Sequence, residues 1–112
     1  MTHPSIKTLA DMLFDHCIPF ELTTDAEGNE WNQIWYPSKK NNVCDVICHR
    51  YSYGHERGLL EMMGLTTEEE DKIYFGVVGY LTPEEAFERI WRHWTKNHVR
   101  VLVTMKDEVD GY

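Results

Sequence analysis

The residues able to do chemistry in this 112-residue chain fall into three groups. Cys44, Cys48 and His49, with His55 close behind, offer the thiolate and imidazole groups that bind zinc. Their spacing argues against a metal site. On a strand, Cys44 and Cys48 share one face while His49 points to the other, and the close-set C-x₂-C pair of structural zinc sites is absent. The same alternation argues against Cys48 and His49 as nucleophile and base, because adjacent strand residues leave the backbone on opposite sides. His16 beside Cys17 fares no better. The expected reading is two small core cysteines, with no metal, no cofactor and no catalytic residue.

The second group is the run from His49 to Gly58, in which aromatic and basic side chains alternate with glycine. Tyr51 and Tyr53 supply flat faces, Arg50 and Arg57 supply forked donors, His49 and His55 add imidazoles, and Gly54 lets a ligand approach the backbone. If Gly58 to Gly64 forms a helical turn, the loop also faces a helix N-terminus, where amide groups favour anions. His49, Arg50, Tyr51, Tyr53, Gly54, His55 and Arg57 are therefore the candidate ligand-binding set for a nucleotide-like molecule. Gly54 and Gly58 match no phosphate-loop spacing, and a purely structural loop is the competing reading.

The third group is acidic: Glu68, Glu69, Glu70 and Asp71, with Glu61 nearby. Such runs are commonly solvated surface, but a compact acidic face also suits a basic partner that it draws in by long-range steering. The charge distribution sharpens the contrast. Residues 1–38 carry six acids against Lys7, and residues 61–88 carry eight against Lys72, whereas residues 39–58 carry four bases against Asp45 and Glu56. The loop is a basic island in a chain of net charge −8, a balance that argues against direct nucleic-acid binding.

Length and composition set the scaffold. The chain has the size of one domain, residues 1–112, and its four Trp, six Tyr and four Phe can each remove roughly 150–250 Å² from water, enough for a core without disulfides. Three cysteines make an odd count, and the opening Met-Thr-His-Pro lacks a basic flank and an apolar run, so free thiols and a cytoplasmic location are expected. No apolar run approaches the roughly 20 residues that span a bilayer.

Periodicity then predicts the elements. Ile6, Leu9, Ala10, Leu13 and Cys17 recur at helical spacing, predicting a helix from Pro4 to His16 with Ser5 competing for the N-cap. Phe20 to Thr23 and Trp31 to Tyr36 alternate as strands across a polar turn, Asp25 to Glu30. On Trp31 to Tyr36 both faces carry aromatics, leaving its buried face open. Val43 to Cys48 reads as a central strand, Gly58 to Gly64 as a short helical turn, Thr66 to Asp71 as a solvated acidic link, and Ile73 to Val78 as a fourth strand. Leu81-Thr82-Pro83-Glu84-Glu85 is the strongest local signal: Thr at the N-cap, Pro at N1 and Glu at N3 open a helix to Lys96 whose stripe is Ala86, Phe87, Ile90, Trp91 and Trp94. Val99 to Thr104 alternates as a last strand before a frayed tail from Lys106. The expected architecture is α+β: an antiparallel or mixed sheet of four or five strands, with the Pro4 and Pro83 helices packed on one face.

Ser52-Tyr53-Gly54, Gly58-Leu59-Leu60-Glu61 and Gly79-Tyr80-Leu81-Thr82-Pro83-Glu84-Glu85-Ala86-Phe87-Glu88-Arg89-Ile90 together resemble the C-terminal pattern of small accessory proteins encoded by phages and prophages of Gram-positive bacteria. The resemblance covers roughly residues 46–90; Trp91, Trp94 and the C-terminal residues after them extend beyond it. It implies a protein acting in the cytoplasm of the host cell, by binding rather than catalysis, on a host defence or nucleic-acid-processing factor such as a CRISPR nuclease. Glu61, Glu68, Glu69, Glu70 and Asp71 are the candidate partner-binding set. The alternative is a protein that sequesters a small nucleotide-like ligand on the Arg50–Gly58 loop. Apolar surface on Trp31, Trp35 or a final strand is of the kind that supports a homodimer.

Overall fold

The computed structural model describes the backbone of residues 3–24 and 31–110 and the side chains of residues 3–24 and 32–97. The turn expected at Asp25 to Glu30 and the side chain of Trp31 lie outside the described residues. Helix α1 (Pro4–Asp15) leads into strands β1 (Glu21–Thr24), β2 (Trp31–Tyr36), β3 (Cys44–Ile47) and β4 (Leu60–Met63). Helix α2 (Glu68–Tyr74), strand β5 (Val77–Leu81) and helix α3 (Pro83–Asp110) complete the order. The five strands form one antiparallel sheet in the order β1-β2-β3-β4-β5, each paired with its neighbour in sequence. The α+β class and the sheet-and-helix architecture are those expected.

Register decides which face is buried. Leu22, Ile34, Val46, Met62 and Val78 stand opposite one another in a row across all five strands, and Ile34, Val46 and Met62 are wholly inaccessible. Strand side chains alternate faces, so Asn32, Ile34 and Tyr36 of β2 turn inward together, resolving the ambiguity that aromatics on both faces created. Helix α1 presents Ile6, Leu9, Ala10 and Leu13 to this face, and α3 adds Ala86 and Ile90, with Phe87 and Trp94 at the margin. The other face carries Trp35, Asp45, Met63 and Val77 in a matching row and no helix row opposes it among the described residues.

Caps explain where the helices begin and end. His3, not Ser5, caps α1: its Nδ1 accepts from the Ser5 amide, which frees the Ser5 hydroxyl to donate to the Gly58 carbonyl. The helix ends in a Schellman turn, with Ile18 N–H on the Leu13 carbonyl (2.9 Å) and Cys17 N–H on the Phe14 carbonyl (3.0 Å). Cys17 therefore sits at φ 56° and is exposed, outside the buried stripe in which spacing placed it. The α3 capping box is as expected, with Glu85 N–H on Thr82 Oγ1 (3.1 Å) and Thr82 N–H on Glu85 Oε1 (3.0 Å).

Three expectations are overturned. Leu60 to Met63 is a strand rather than a helical turn, because Leu60 and Met62 alternate into the core and pair with both β3 and β5. Glu68 to Tyr74 is a helix rather than a link and a strand: Thr67 and Glu70 form a second capping box of the same T-x-x-E form. The final segment is helical through Asp110, so no strand forms at Val99 to Thr104; with α3 already nucleated and capped, each further residue adds a hydrogen bond at little cost.

Gly64 closes the β4 end at φ 100°, and a Cβ there would stand 2.4 Å from the Val43 carbonyl oxygen. Gly64→Ala is expected to destabilise the fold by about 2 kcal/mol or more, since both the backbone conformation and the space exclude a side chain. Urea denaturation at constant m-value measures it.

Candidate functional site

The β3–β4 loop is held by its own short-range bonds. Ser52 is buried, its hydroxyl donating to the His49 carbonyl (2.8 Å) and accepting from the His49 amide (3.0 Å). The His49 ring accepts from the Tyr51 amide (3.2 Å), and the Arg50 guanidinium lies over the Tyr51 ring, 5.0 Å from its centroid. His55 Nδ1 lies 3.2 Å from both the Ser52 carbonyl and the Glu56 carboxylate. His55 to Arg57 form a single three-residue 3₁₀ turn, and a strand comes next. The helix N-terminus that made the loop attractive to anions is thus replaced by strand β4. Of the seven candidate ligand residues, His49, Arg50 and Tyr51 cluster together, His55 and Arg57 sit on the 3₁₀ turn, and Tyr53 and Gly54 turn toward β5.

That last contact joins the loop to the sheet. The Tyr53 amide donates to Glu61 (3.3 Å) and its carbonyl accepts from the Tyr80 amide (3.4 Å), while its ring stacks on that of Tyr80 with centroids 6.5 Å apart. Gly79 makes this approach feasible: a Cβ there would lie 2.5 Å from the Tyr53 Cβ. Glu61, one of the candidate partner acids, is therefore engaged by the loop backbone.

Alongside β5 runs a groove of about 730 Å³ whose walls include Tyr53, Ile73, Tyr74, Phe75, Val77 and Tyr80. Five large apolar side chains here are open to solvent: Tyr53, Ile73, Tyr74, Phe75 (88% exposed) and Tyr80. Phe75 and Tyr80 both occupy the left-handed region, at φ 57° and 59°, which costs a non-glycine residue about 1–2 kcal/mol. Periodicity places Ile73 and Tyr80 inside or beside a strand; it does not reveal the aromatic cluster they build with Tyr53. The T-x-x-E at Thr67 to Glu70 is the available signal, since a helix there turns Ile73 to Phe75 out of the sheet.

Arg89 closes one end. Its guanidinium donates to both Glu70 oxygens (2.9 and 2.6 Å) and to the Leu65 carbonyl (3.1 Å). The paired guanidinium, with the Thr67 amide second, holds the Glu70 carboxyl down at about 2. Glu70 is thus committed within the fold, while Glu68, Glu69 and Asp71 are exposed on the first turn of α2. On the far side of Arg89, a second groove of about 470 Å³ is lined by Arg92, His93 and Lys96 among others, with Arg92 paired to Glu88.

Cys44 and Cys48 are both buried in the core, as spacing suggested. Burial pushes the Cys44 thiol up to about 12 and the Cys48 thiol up to about 11. The imidazole nearest Cys48 is that of His3, Nε2 to Sγ 3.5 Å, rather than its neighbour His49. Because His3 Nδ1 accepts from Ser5, the neutral ring bears its proton on Nε2, facing the sulfur, so it does not draw a proton from the thiol. Among the described residues no three His, Cys, Asp or Glu side chains converge on a point that would hold a metal ion. No helix among them is long and apolar enough to cross a membrane.

Fold and surface together define a two-layer α+β protein with one helix-covered sheet face and an aromatic groove along its last strand. Comparisons with protein-family models, with curated proteins and with solved structures gave no match.

The Glu70 pair has a defined pH dependence. Its folded pKa lies below the ordinary 4.5, so the pair contributes fully above pH 4.5 and its contribution is lost as pH falls toward 2. Arg89→Met should cost about 1–2 kcal/mol at neutral pH and flatten the acid limb of stability. Urea denaturation across that range should show an unchanged slope if the pair does not hold α2.

Proposed function

We propose that this is a non-enzymatic binding protein that engages a basic protein partner through the surface formed by α2 and β5. The observation that carries the reading is the coincidence of solvent-facing Ile73, Tyr74, Phe75 and Tyr80 with the exposed acids Glu68, Glu69 and Asp71. Aromatic anchors within a charged rim are the arrangement from which protein interfaces draw most of their binding energy. With the chain's net charge of −8, the rim also favours rapid encounter with a positively charged surface. Proteins that handle nucleic acid carry such surfaces, and the resemblance to phage accessory proteins points to a host defence or nucleic-acid-processing factor, for example a CRISPR nuclease, as the target in the cytoplasm of the host cell. The compact acidic surface would then occupy ground that nucleic acid otherwise holds.

Glu70 is excluded from this rim because reversing it would break the Arg89 fork. The informative reversal is Glu68→Lys with Glu69→Lys. Titrating a partner captured from host lysate should show affinity lowered at least about tenfold and its salt dependence flattened; undiminished affinity removes the acidic rim from the interface. Phe75→Gly separates binding from folding. It should raise stability by about 0.5–1 kcal/mol by relieving the left-handed cap, yet weaken the partner by about 2 kcal/mol, and a variant that is stabilised without losing affinity shows that Phe75 is no anchor.

A further inference from the structure

Strand β5 pairs with β4 on one side, and among the described residues no strand pairs with it on the other. A free edge presents unpaired N–H and C=O groups, and proteins ordinarily guard it with lysine, proline or an inward charge. The opposite edge, β1, is guarded in this manner: it is four residues long, exposes Glu21 and Thr24, and commits the Glu21 carboxylate to the Lys39 amide (3.2 Å). Val77-Val78-Gly79-Tyr80-Leu81 carries no lysine, proline or charge, and its bulge guards only the Tyr80 end.

The groove beside β5 tracks this edge. Val77 and Gly79 point to the open face of the sheet and Val78 and Leu81 to the core face, yet all four line the same cavity. A cavity touching both sets runs along the backbone between them rather than over either face. Its far end is closed where the Tyr53 carbonyl takes the Tyr80 amide and the ladder shifts register between Leu60 and Met62. The free length is therefore the short stretch Val77 to Gly79.

We propose that this edge is where the partner docks, by adding an extended, lysine- or arginine-bearing segment as a sixth strand along Val77 to Gly79. The inference rests on the acidic-rim reading above and supplies its contact mode. Main-chain bonds to β5 give the segment its register, and alternate side chains enter the groove. Its charge is set by the surroundings. Glu85 lines the groove, Glu68, Glu69 and Asp71 lie exposed on the helix that walls it, and the guanidinium of Arg89 is already paired with Glu70. The faces of Tyr53, Tyr74 and Tyr80 suit a cation as well. A second copy of this chain is the wrong occupant, because edge-to-edge pairing would bring two such sets of acids together.

The test uses the full chain and two short peptides of alternating lysine and valine, one unmodified and one N-methylated at alternate residues so that one of its edges lacks donors. The unmodified peptide is expected to bind, to shift and protect the amides of Val77 to Gly79 in nitrogen-15 spectra, and to bind about tenfold more tightly than both its methylated form and a glutamate–valine counterpart. Equal binding of parent and methylated peptides, weakened alike by Glu68→Lys with Glu69→Lys, overturns strand addition and leaves the acidic rim standing. Equal binding of the glutamate peptide overturns the charge assignment. Failure of the unmodified peptide to perturb β5, while a captured partner still binds, overturns the edge as the docking site.

Discussion

The candidate surface depends on one fork, between Arg89 of α3 and Glu70 of α2. Helix α2 is only seven residues long and buries none of its side chains, so neither intrinsic helicity nor packing area holds it in place. Its N-terminus is closed by Thr67 and its flank is tied by two guanidinium bonds to a helix that is itself anchored in the core through Ala86 and Ile90. The same arginine reaches the Leu65 carbonyl and so fixes the chain entering α2. Position is transmitted from the core to the groove wall through charge-assisted hydrogen bonds, which have stricter geometry than apolar contact.

How far the fold is legible in the sequence depends on the kind of signal. Where periodicity and capping agree, as in Ile6 to Leu13 and in Thr82 to Trp94, the expected element is the observed one. Leu60 to Met63 defeats the reading because a short apolar run between glycines fits a helical turn and a buried strand equally well, and only pairing with β3 and β5 separates them. Glu68 to Asp71 reads as solvated charge; with the Thr67 box, acids in the first turn favour the helix through its dipole. Val99 to Thr104 alternates like a strand, but continuation of a nucleated helix overrides β-propensity there.

The site is less legible than the fold, and for a physical reason. The aromatic groove is assembled from three separated segments, Tyr53, Ile73 to Phe75 and Tyr80, brought together by the loop's fold onto β5. No spacing rule reaches across those gaps. The basic loop, which looks the richer site, spends its imidazoles and one guanidinium on its own turns and rings. Residue type alone makes it conspicuous; the partners its side chains find in the fold decide what is left for a ligand.

The two left-handed aromatics argue for function on energetic grounds. Glycine takes this conformation at Gly54, Gly58, Gly64 and Gly76, whereas Cys17, Leu65, Phe75 and Tyr80 bear its cost. Tyr80 recovers part of its cost by stacking on Tyr53 and so shaping the β5 bulge. Phe75 recovers almost nothing within the chain, since it is nearly fully exposed and contributes only its backbone to the end of α2. Exposed and left-handed, Phe75 gains nothing from packing, so its conformation is held by the rest of the fold, through the cap of α2 and the chain turning into β5. An apolar group kept in water at the wall of the groove is what the proposed docking surface would use as an anchor.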